Sequence, residues 1–576
     1  MGRVNLLAAG AIVLLFSALR VTPILCDSSH DSFHDWAEWP NTWPNQGGGI
    51  RNRREAHDEY RISTSSVSSM SLKWTAYTSY DVSSTPSIDA RRGAVYFSSW
   101  DGCLYAVKKD TGALIWKVNL TEIAPSIPGF LEGIVVMPYL KQLGLPPNFA
   151  NLLCRATPTI AGPLLIFGIF NPCYVLALNR STGALVWWTI LESHPFCVFT
   201  QSGTYYQGSF YIGTSSEEES SPPQICCKFQ GAFFRLDAKT GKAVWRTSML
   251  PYNNNQTGLH AGAGIWGSSP AIDIFRRFVY IATGNTYSVP PAVQDCENAR
   301  LNETNATVPD SCINPDDHSE SIVAIDIDSG KIFWATHLGG YDVWTLLCAL
   351  SPVPLPNCPT IVGPDYDFGE APLLLSIKEG SVNSFEWRDI VVAGQKSGVV
   401  HALDRSNGDI VWQTVAGPGG EGGGASWGMT TDGERVFTSI INSNSRNFTL
   451  VPSSKVITWG GWVAMNGSTG KVIWSTANPG PFGTLSPVAH ANGVIFGGST
   501  GNVLTGTPSG QIVALDAMTG SVLWQYTTQG GVSGGVSIMD GCIFQPVGLT
   551  ITVVGNNASA TIHGNSTISL CVPSWY

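Results

Sequence analysis

Charged side chains are scarce in this sequence: Asp, Glu, Lys and Arg make up 13% of the 576 residues, against a usual ~25%. Because 43% of the residues are hydrophobic, the chain does not have the low hydrophobicity and high charge of a disordered protein. The scarcity of charge also excludes a coiled coil, which needs abundant Glu and Lys at heptad spacing. The formal net charge of −10 disfavours nucleic acid as a partner, since its binding proteins carry a basic surface.

Common motifs of haem and zinc chemistry are also missing. The chain contains no Cys-x-x-Cys-His segment, so it lacks the attachment motif of a c-type haem. It contains neither a His-Glu-x-x-His segment nor paired Cys-x-x-Cys segments, which disfavours a zinc site.

The N-terminus has the pattern of a secretory signal peptide. Arg3 precedes an apolar run from Leu6 to Leu19, and Cys26 follows shortly afterwards. The run is short for the ~20 residues of a membrane-spanning helix, so cleavage near Cys26 is favoured over a signal anchor. We therefore expect a signal peptide at 1–26, no membrane span after its removal, and a secreted, extracellular protein.

Cysteines and glycosylation sequons agree with secretion. Removal of Cys26 leaves 12 of the 13 cysteines, an even number that suggests disulfides in a secreted chain. Cys296 and Cys312, like Cys348 and Cys358, are close enough in sequence to be pairs. Nine Asn-x-Ser/Thr sequons predict a glycoprotein. They lie at Asn119, Asn179, Asn255, Asn302, Asn305, Asn447, Asn466, Asn557 and Asn565.

Glycine and tryptophan are abundant, with 62 and 20 residues, and they recur in one pattern. An apolar stretch that contains Ala or Leu ends in most copies at Asp or Asn, Thr-Gly or a close variant follows, and Trp stands four residues after the Gly. The apolar alternation predicts a half-buried strand, and the Gly predicts a tight turn into an outer strand that ends in Trp. The seven copies carry Trp116, Trp187, Trp245, Trp334, Trp412, Trp474 and Trp524.

Small antiparallel sheets that recur along the chain with these tryptophans predict an all-β, eight-bladed β-propeller of four-stranded antiparallel blades. Two strands after Trp524, near 536–538 and 542–545, are expected to form an eighth blade that Leu72–Trp74 closes, which joins the N- and C-terminal strands and removes the exposed edges. A WD-repeat propeller is disfavoured because Trp-Asp occurs only at Trp100-Asp101, outside the repeated position. The expected organisation is a signal peptide at 1–26, an N-terminal entry segment at 27–70, the propeller at 71–555 and a C-terminal tail at 556–576.

The repeats, with Ala-Leu-Asp-x-x-Thr-Gly-x-x-x-Trp as their ideal, resemble the tryptophan-docking motifs of pyrroloquinoline quinone (PQQ) dehydrogenases. Longer segments are similar to the polyvinyl alcohol dehydrogenase-like branch, and the likeness covers about residues 36–550. These segments are 282–288, 363–369, 392–398, 412–420 and 427–429.

The resemblance implies PQQ and Ca²⁺ on the propeller axis. Ca²⁺ takes oxygen ligands, and the resemblance assigns it Glu218 and Asn285. It assigns Trp266 as the flat aromatic on which the quinone lies, and Lys396 as the cation at the quinone oxygens. Trp427 is a further predicted cofactor-binding residue, since Trp266 and Trp427 both stand outside the repeated position.

Asp367 is similar to the aspartate that takes the alcohol proton while hydride moves to the quinone. Asp342 is a rival for this role. Glu217 and Glu219 leave the choice of the acidic metal ligand open. The adjacent Cys226 and Cys227 could form a ring disulfide or two separate disulfides.

Two functions follow from these patterns. The first is a secreted quinoprotein alcohol dehydrogenase-like protein that oxidises an alcohol or polyol with PQQ and Ca²⁺, and passes electrons to a separate acceptor because it carries no haem motif. The alternative is a non-catalytic secreted propeller that binds polysaccharide or protein, because propellers keep their repeats after losing chemistry.

Overall fold

The computed structural model describes residues 42–573, except 124–125, 128–154, 223–224, 268, 301–310, 352, 354, 356, 382–383, 502–508, 549, 555–556 and 562–565. The predicted signal peptide and the sequons at Asn302, Asn305 and Asn565 lie outside these residues.

The described residues form eight four-stranded antiparallel sheets, which confirms the predicted eight-bladed propeller. In blade 1 the first strand, Ser87–Asp89, is buried, whereas the fourth, Leu114–Asn119, is exposed or half-buried. From first to fourth strand, blade 1 contains Ser87–Asp89, Ala94–Ser99, Cys103–Lys108 and Leu114–Asn119. Blade 2 contains Thr159–Ala161, Leu164–Gly168, Tyr174–Asn179 and Leu185–Ile190. Blade 3 contains Thr204–Tyr206, Ser209–Gly213, Ala232–Asp237 and Ala243–Ser248.

The next four blades follow the same order along the chain. Blade 4 contains Ala271–Asp273, Phe278–Ala282, Ser321–Asp326 and Ile332–His337. Blade 5 contains Leu373–Ser381, Ser384–Gly394, Val399–Asp404 and Ile410–Val415. Blade 6 contains Thr430–Thr431, Arg435–Ile440, Gly461–Asn466 and Val472–Ala477. Blade 7 contains Ala489–Ala491, Val494–Ser499, Gln511–Asp516 and Val522–Thr527.

Blade 8 joins the two ends of the chain. Its strands are Ser537–Met539, Cys542–Val547, Ser566–Cys571 and Ser71–Tyr77. The predicted closure is confirmed, but Ser566–Cys571 lies inside the predicted tail, so the propeller extends beyond residue 555. This strand carries no Gly-Trp repeat because its outer neighbour comes from the opposite end of the chain.

Other regular elements in the described residues are short. Three α-helices span Leu120–Ile123, Pro291–Arg300 and Leu346–Leu350, and two 3₁₀ turns span Val67–Ser69 and Glu218–Ser220. Four two-stranded sheets pair Cys197–Val198 with Ser215–Ser216, Ala261–Gly262 with Thr286–Ser288, Phe448–Thr449 with Val456–Ile457, and Thr550–Val554 with Asn557–Thr561. None of the helices in the described part combines the length and the apolar character that a membrane crossing needs.

Each docked tryptophan packs on the blade that follows its own. Trp187 lies in blade 2, and its indole N–H donates to the carbonyl oxygen of Ala238 in blade 3 at 3.0 Å. Its ring covers Gly241, where an added Cβ would lie 2.4 Å from the ring. Gly241 also has φ +73°, which glycine adopts without steric cost. The same arrangement recurs at Trp74, Trp116, Trp245, Trp334, Trp412 and Trp474.

The prediction that the outer strand ends at its tryptophan is wrong. Each repeat tryptophan is the third of six strand residues, as Trp187 is in Leu185–Ile190, so the strand continues for three residues beyond it. Trp524 packs against the hydrophobic cluster that includes blades 7, 8 and 1.

The described part of the entry segment, 42–70, reaches all eight blades. Its residues between Trp43 and Glu59 bond to the innermost strand of blades 1 to 7 and to the first turn of blade 8. A segment with these contacts lies at the centre of the ring and covers one end of its axis. The blade partners are Ile88, Ile160, Thr204, Ile272, Leu374, Thr430, His490 and Gly541.

The described cysteines form five disulfides, which confirms the expected disulfide bonding and the pairs Cys296–Cys312 and Cys348–Cys358. The adjacent Cys226 and Cys227 are joined to each other, so two separate disulfides are not formed there. The remaining pairs are Cys173–Cys197 and Cys542–Cys571. Among the described cysteines Cys103 is unpaired and buried, whereas Cys154 lies outside the described residues.

Candidate functional site

A cavity of about 160 Å³ lies among loops at one end of the ring. Some of these loops follow the second strand of a blade and others precede the first strand. Because neighbouring strands are antiparallel, both kinds of loop meet at the same end of the propeller. The lining residues are Arg155, Thr200, Ser215, Ser216, Glu217, Glu219, Gly264, Trp266, Gly284, Asn285, Tyr287, Asp367, Lys396 and Trp427.

Lys396 is a charged residue in the wall of this cavity. It follows strand Ser384–Gly394, and its Nζ lies 2.9 Å from Asp365 Oδ1 and 3.0 Å from Asp367 Oδ2. The two carboxylates and the nearby Glu219 raise the pKa of Lys396, although burial lowers it. Lys396 therefore carries a positive charge at the wall of the cavity at neutral pH.

Asn285 and Asp367 are held together by the backbone. The N–H of Asn285 donates to Asp367 Oδ1 at 2.6 Å. The side-chain amide nitrogen of Asn285 donates to the carbonyl oxygens of Thr286 and Trp344, at 3.1 and 3.2 Å. With its nitrogen engaged, Asn285 offers its amide oxygen to the cavity. Gly284 permits this approach, since an added Cβ would lie 2.8 Å from Asp367 Oδ1.

Two tryptophans and an arginine form the aromatic wall. The rings of Trp266 and Trp427 meet edge to face, with centroids 5.2 Å apart and planes at 75°. The Arg155 guanidinium lies 4.6 Å from the Trp427 ring, and Lys396 Nζ lies 5.1 Å from the Trp266 ring. Trp266 Nε1 is buried without a hydrogen-bond partner in the described residues. This wall therefore presents aromatic faces, two cations and an unused donor.

The acidic loop enters the cavity in a different register from the prediction. Glu218 does not line the cavity, because its carboxylate accepts from the backbone N–H of Lys228 at 2.9 Å and of Phe229 at 2.7 Å. His194 Nε2 lies 3.4 Å from the same carboxylate. Glu217 and Glu219, on either side of Glu218, line the cavity instead. Glu218 therefore supports the loop rather than the site.

Burial raises the pKa of two glutamates that line the cavity. Burial raises the pKa of Glu219 well above its usual value, and Asp365 and Asp367 raise it further. Burial also raises the pKa of Glu217, while Arg155 lowers it. Like charges in a buried site have this effect, and a bound cation relieves it.

The donors available for a metal ion are limited. In the part of the chain that the structure describes, no three His, Cys, Asp or Glu side chains are grouped as a metal site. A cation at this cavity would therefore need the amide oxygen of Asn285 in addition to carboxylates.

Asp342, the rival aspartate, lies outside the cavity lining. Its two carboxylate oxygens accept from the backbone N–H of Asp365 at 3.1 Å and of Tyr366 at 2.6 Å. Burial raises the pKa of Asp342 to about 6, against these backbone donors. Asp342 shapes the loop that carries Asp365 and Asp367.

A second cavity of about 200 Å³ adjoins the first and shares Arg155, Thr200 and Trp427 with it. Ligand pockets usually measure roughly 300–1,000 Å³, so the first cavity alone is small for a cofactor-sized ligand. The two cavities together reach this range.

The cavity brings together most of the predicted site residues and several that the sequence analysis missed. The predicted residues in the lining are Trp266, Asn285, Asp367, Lys396 and Trp427. Glu217 and Glu219, the alternatives to the predicted Glu218, also line the cavity. Asp365, which the sequence did not single out, contacts Lys396 Nζ. Arg155 and Thr200 belong to no motif, but each stands four residues before the first strand of its blade. The lining residues Trp266, Asp367 and Trp427 stand three to six residues before such a strand, so this position is the signal that could have found them.

Comparisons with known proteins give one family and several relatives. A family model described as "Outer membrane protein assembly factor BamB" matches residues 65–336 and 459–556. The polyvinylalcohol dehydrogenase of Pseudomonas sp is 27% identical over 504 residues, which cover 85% of this chain and 68% of the relative. That of Sphingopyxis sp. (strain 113P3) is 26% identical over 534 residues, 88% of this chain and 70% of the relative.

A solved structure has the same fold. The quinohemoprotein alcohol dehydrogenase from Comamonas testosteroni superposes with a TM-score of 0.61 at 18% identity, over 93% of this chain and 81% of that one. The family match omits 337–458, the stretch that contains Asp367, Lys396 and Trp427, whereas each polyvinylalcohol dehydrogenase matches at least 85% of the chain.

Proposed function

The chain belongs to the PQQ_2 family, described as outer membrane protein assembly factor BamB, and we propose that it is a PQQ-dependent alcohol dehydrogenase. The observation that carries the proposal is the joining of Lys396, Asp367 and Asn285 beside the Trp266 ring in one cavity. The two polyvinylalcohol dehydrogenases, similar over most of the chain, support an alcohol or polyol as substrate. The N-terminal pattern and the sequons support secretion of a glycosylated protein.

The residues present fit a flat, anionic quinone. Trp266 and Trp427 offer aromatic faces, and Lys396 and Arg155 offer positive charge beside them. The buried Trp266 Nε1 lacks a partner in the described residues. Aromatic surfaces with a few directed polar groups are typical of cofactor sites.

The acidic side also fits a metal ion such as Ca²⁺. Glu219 would supply carboxylate oxygens and Asn285 an amide oxygen, which are the ligand types that Ca²⁺ prefers. Burial and the neighbouring Asp365 and Asp367 raise the pKa of Glu219, and a bound cation would oppose this. We propose Glu219 and Asn285 as metal-binding residues, with Glu217 as a further candidate; Glu218 is not proposed, because backbone donors occupy its carboxylate.

When bound, PQQ supplies a hydride acceptor and the metal ion supplies Lewis acidity. The chain's own contribution is the proton chemistry. Asp367 takes the alcohol proton at its carboxylate, which the Asn285 N–H and Lys396 Nζ hold in a fixed orientation. Lys396 balances the negative charge that develops beside it. Because the sequence contains no Cys-x-x-Cys-His segment, a separate acceptor would take the electrons.

A turnover assay tests this proposal. The purified chain is mixed with PQQ and Ca²⁺, and reduction of a dye acceptor is measured with small alcohols and polyvinyl alcohol. Asp367→Asn is expected to lower kcat by about 10²–10⁴, the usual contribution of a general base, with quinone affinity retained. Asp409→Asn, an exposed turn change, is the matched control. Unchanged turnover in Asp367→Asn would reject the assignment of the base.

The second candidate function is a propeller that binds polysaccharide or protein without redox chemistry. The description of the family model favours it, since that description names an assembly factor and no enzyme. Absence of dye reduction together with absence of quinone binding would support this alternative.

A further inference from the structure

Trp427 stands in the cavity wall with an unusual backbone conformation. Its φ is +76°, in the left-handed region that a bulky side chain rarely adopts. Such a conformation persists only where its surroundings enforce it. Its ring meets Trp266 edge to face, so the backbone angle sets the shape of the aromatic wall.

Arg54 holds the backbone of Trp427 from one side. Its side chain is almost fully buried, and its guanidinium donates to the carbonyl oxygen of Met429 at 3.3 Å and of Trp427 at 3.5 Å. An added Cβ on Gly428 would lie 2.3 Å from the guanidinium carbon. The guanidinium therefore packs directly on the peptide that links these residues, and Gly428 has to be glycine.

Glu370 faces the same peptide with a carboxyl group. Its carboxylate accepts from Thr438 Oγ1 at 3.0 Å, and the backbone N–H of Gly428 also faces it and lowers its pKa, as Arg54 does. Carbonyl oxygens of the 427–429 segment thus contact the Arg54 guanidinium, and the Glu370 carboxyl group lies beside Gly428 of the same segment.

Arg54 itself is fixed by the propeller. Its N–H donates to the carbonyl oxygen of Gly47 at 2.9 Å, and its carbonyl oxygen accepts from the N–H of His490 at 2.9 Å. Thr430 Oγ1 donates to the same carbonyl oxygen at 2.9 Å. These contacts fix the backbone of Arg54, so the entry segment holds its guanidinium against the 427–429 segment.

We propose that Arg54 and Glu370 are positioning residues that clamp the 427–429 segment and hold the Trp427 ring in the cavity wall. Neither Arg54 nor Glu370 lines the cavity, and both act through Trp427, which does. The effect on quinone binding rests on the proposed function, whereas the effect on the tryptophan pair does not.

Two measurements on the full chain test the clamp. In the quinone-free protein, the near-ultraviolet circular dichroism difference between the native chain and Trp427→Phe defines the signal of the Trp266–Trp427 pair. Arg54→Met is expected to lose this signal. Arg53→Met is the matched control: it lies in the same segment, but its Nε donates to Leu374 O at 2.8 Å, away from Trp427, so the signal should remain.

Calorimetry with PQQ and Ca²⁺ supplies the second readout. Arg54→Met is expected to weaken quinone affinity at least tenfold and Arg53→Met less than twofold, with Arg54→Lys recovering part of the loss. A folded Arg54→Met that keeps the tryptophan signal and the affinity overturns the clamp. If the native chain binds no PQQ, the proposed function fails and the circular dichroism result still decides the clamp.

Arg54→Met leaves Glu370 buried without its cation, and this change alone could prevent folding. Arg54→Met combined with Glu370→Gln removes both charges while keeping an acceptor for the Gly428 N–H. Loss of the tryptophan signal in this double variant supports the clamp, and retention of the signal contradicts it.

Discussion

The packing of each repeat tryptophan on the glycine of the next blade predicts a specific stability difference between two glycines of blade 3. Gly241 and Gly208 have nearly the same backbone angle, with φ +73° and +77°. An added Cβ would lie 2.4 Å from the Trp187 ring at Gly241, whereas no atom lies within 4 Å of it at Gly208. The pair therefore separates the cost of the backbone angle from the cost of packing.

The magnitudes follow from the two environments. Alanine in the left-handed conformation costs about 1–2 kcal/mol, and this cost applies at both sites. Overpacking against a buried ring adds about 1–3 kcal/mol, at Gly241 only. Gly208→Ala is therefore expected to lower the free energy of unfolding by about 1–2 kcal/mol, and Gly241→Ala by about 2–5 kcal/mol.

Urea titrations of the two variants and the native chain measure this difference. Trp187→Ala adds a further control, because removal of the ring should abolish the extra cost of Gly241→Ala and leave a coupling of about 1–3 kcal/mol between the two positions. Equal destabilisation by Gly208→Ala and Gly241→Ala, or additive effects of Trp187→Ala and Gly241→Ala, would refute the docking argument.

Three further predictions concern the site and the closing blade. Glu219→Gln is expected to weaken Ca²⁺ affinity about tenfold or more in a calorimetric titration, whereas Glu218→Gln should mainly lower stability, since its carboxylate accepts backbone donors; the reverse ranking would restore Glu218 as the ligand. Burial raises the pKa of Glu370 from 4.5 to about 7, so the folded state binds more protons than the unfolded state between these values. The free energy of unfolding should therefore fall by roughly 3 kcal/mol from pH 4.5 to 7 through this group, and Glu370→Gln should remove that part of the slope. Cys571→Ser opens a disulfide that joins residues 29 apart in sequence, and should cost about 3–4 kcal/mol of stability, which the same unfolding titration checks.

The propeller could be predicted because each blade repeats one local chemistry. Seven copies of the Gly-Trp repeat mark seven blades, and the inner strands of blade 8 are themselves apolar runs. Its third strand, Ser566–Cys571, could not be predicted in this way. It pairs with one strand near each end of the chain, so no local turn or tryptophan marks it in the sequence.

The site was predictable to the extent that single residues carry distinct chemistry. Asp367, Lys396 and Asn285 were found through their motifs and lie in one cavity. The sequence could not show which of three consecutive glutamates lines the cavity, because their side chains are chemically identical. The backbone N–H groups of Lys228 and Phe229, ten and eleven residues later, decide which of them turns away from the cavity.

Binding of the quinone tests the central claim most directly. The purified chain is titrated with PQQ in the presence and absence of Ca²⁺, and heat and tryptophan fluorescence are followed together. We predict saturable 1:1 binding that depends on Ca²⁺, quenches tryptophan fluorescence and is lost in Lys396→Met and Asn285→Ala. A native, folded chain that shows neither heat nor quenching at any quinone concentration would contradict the account.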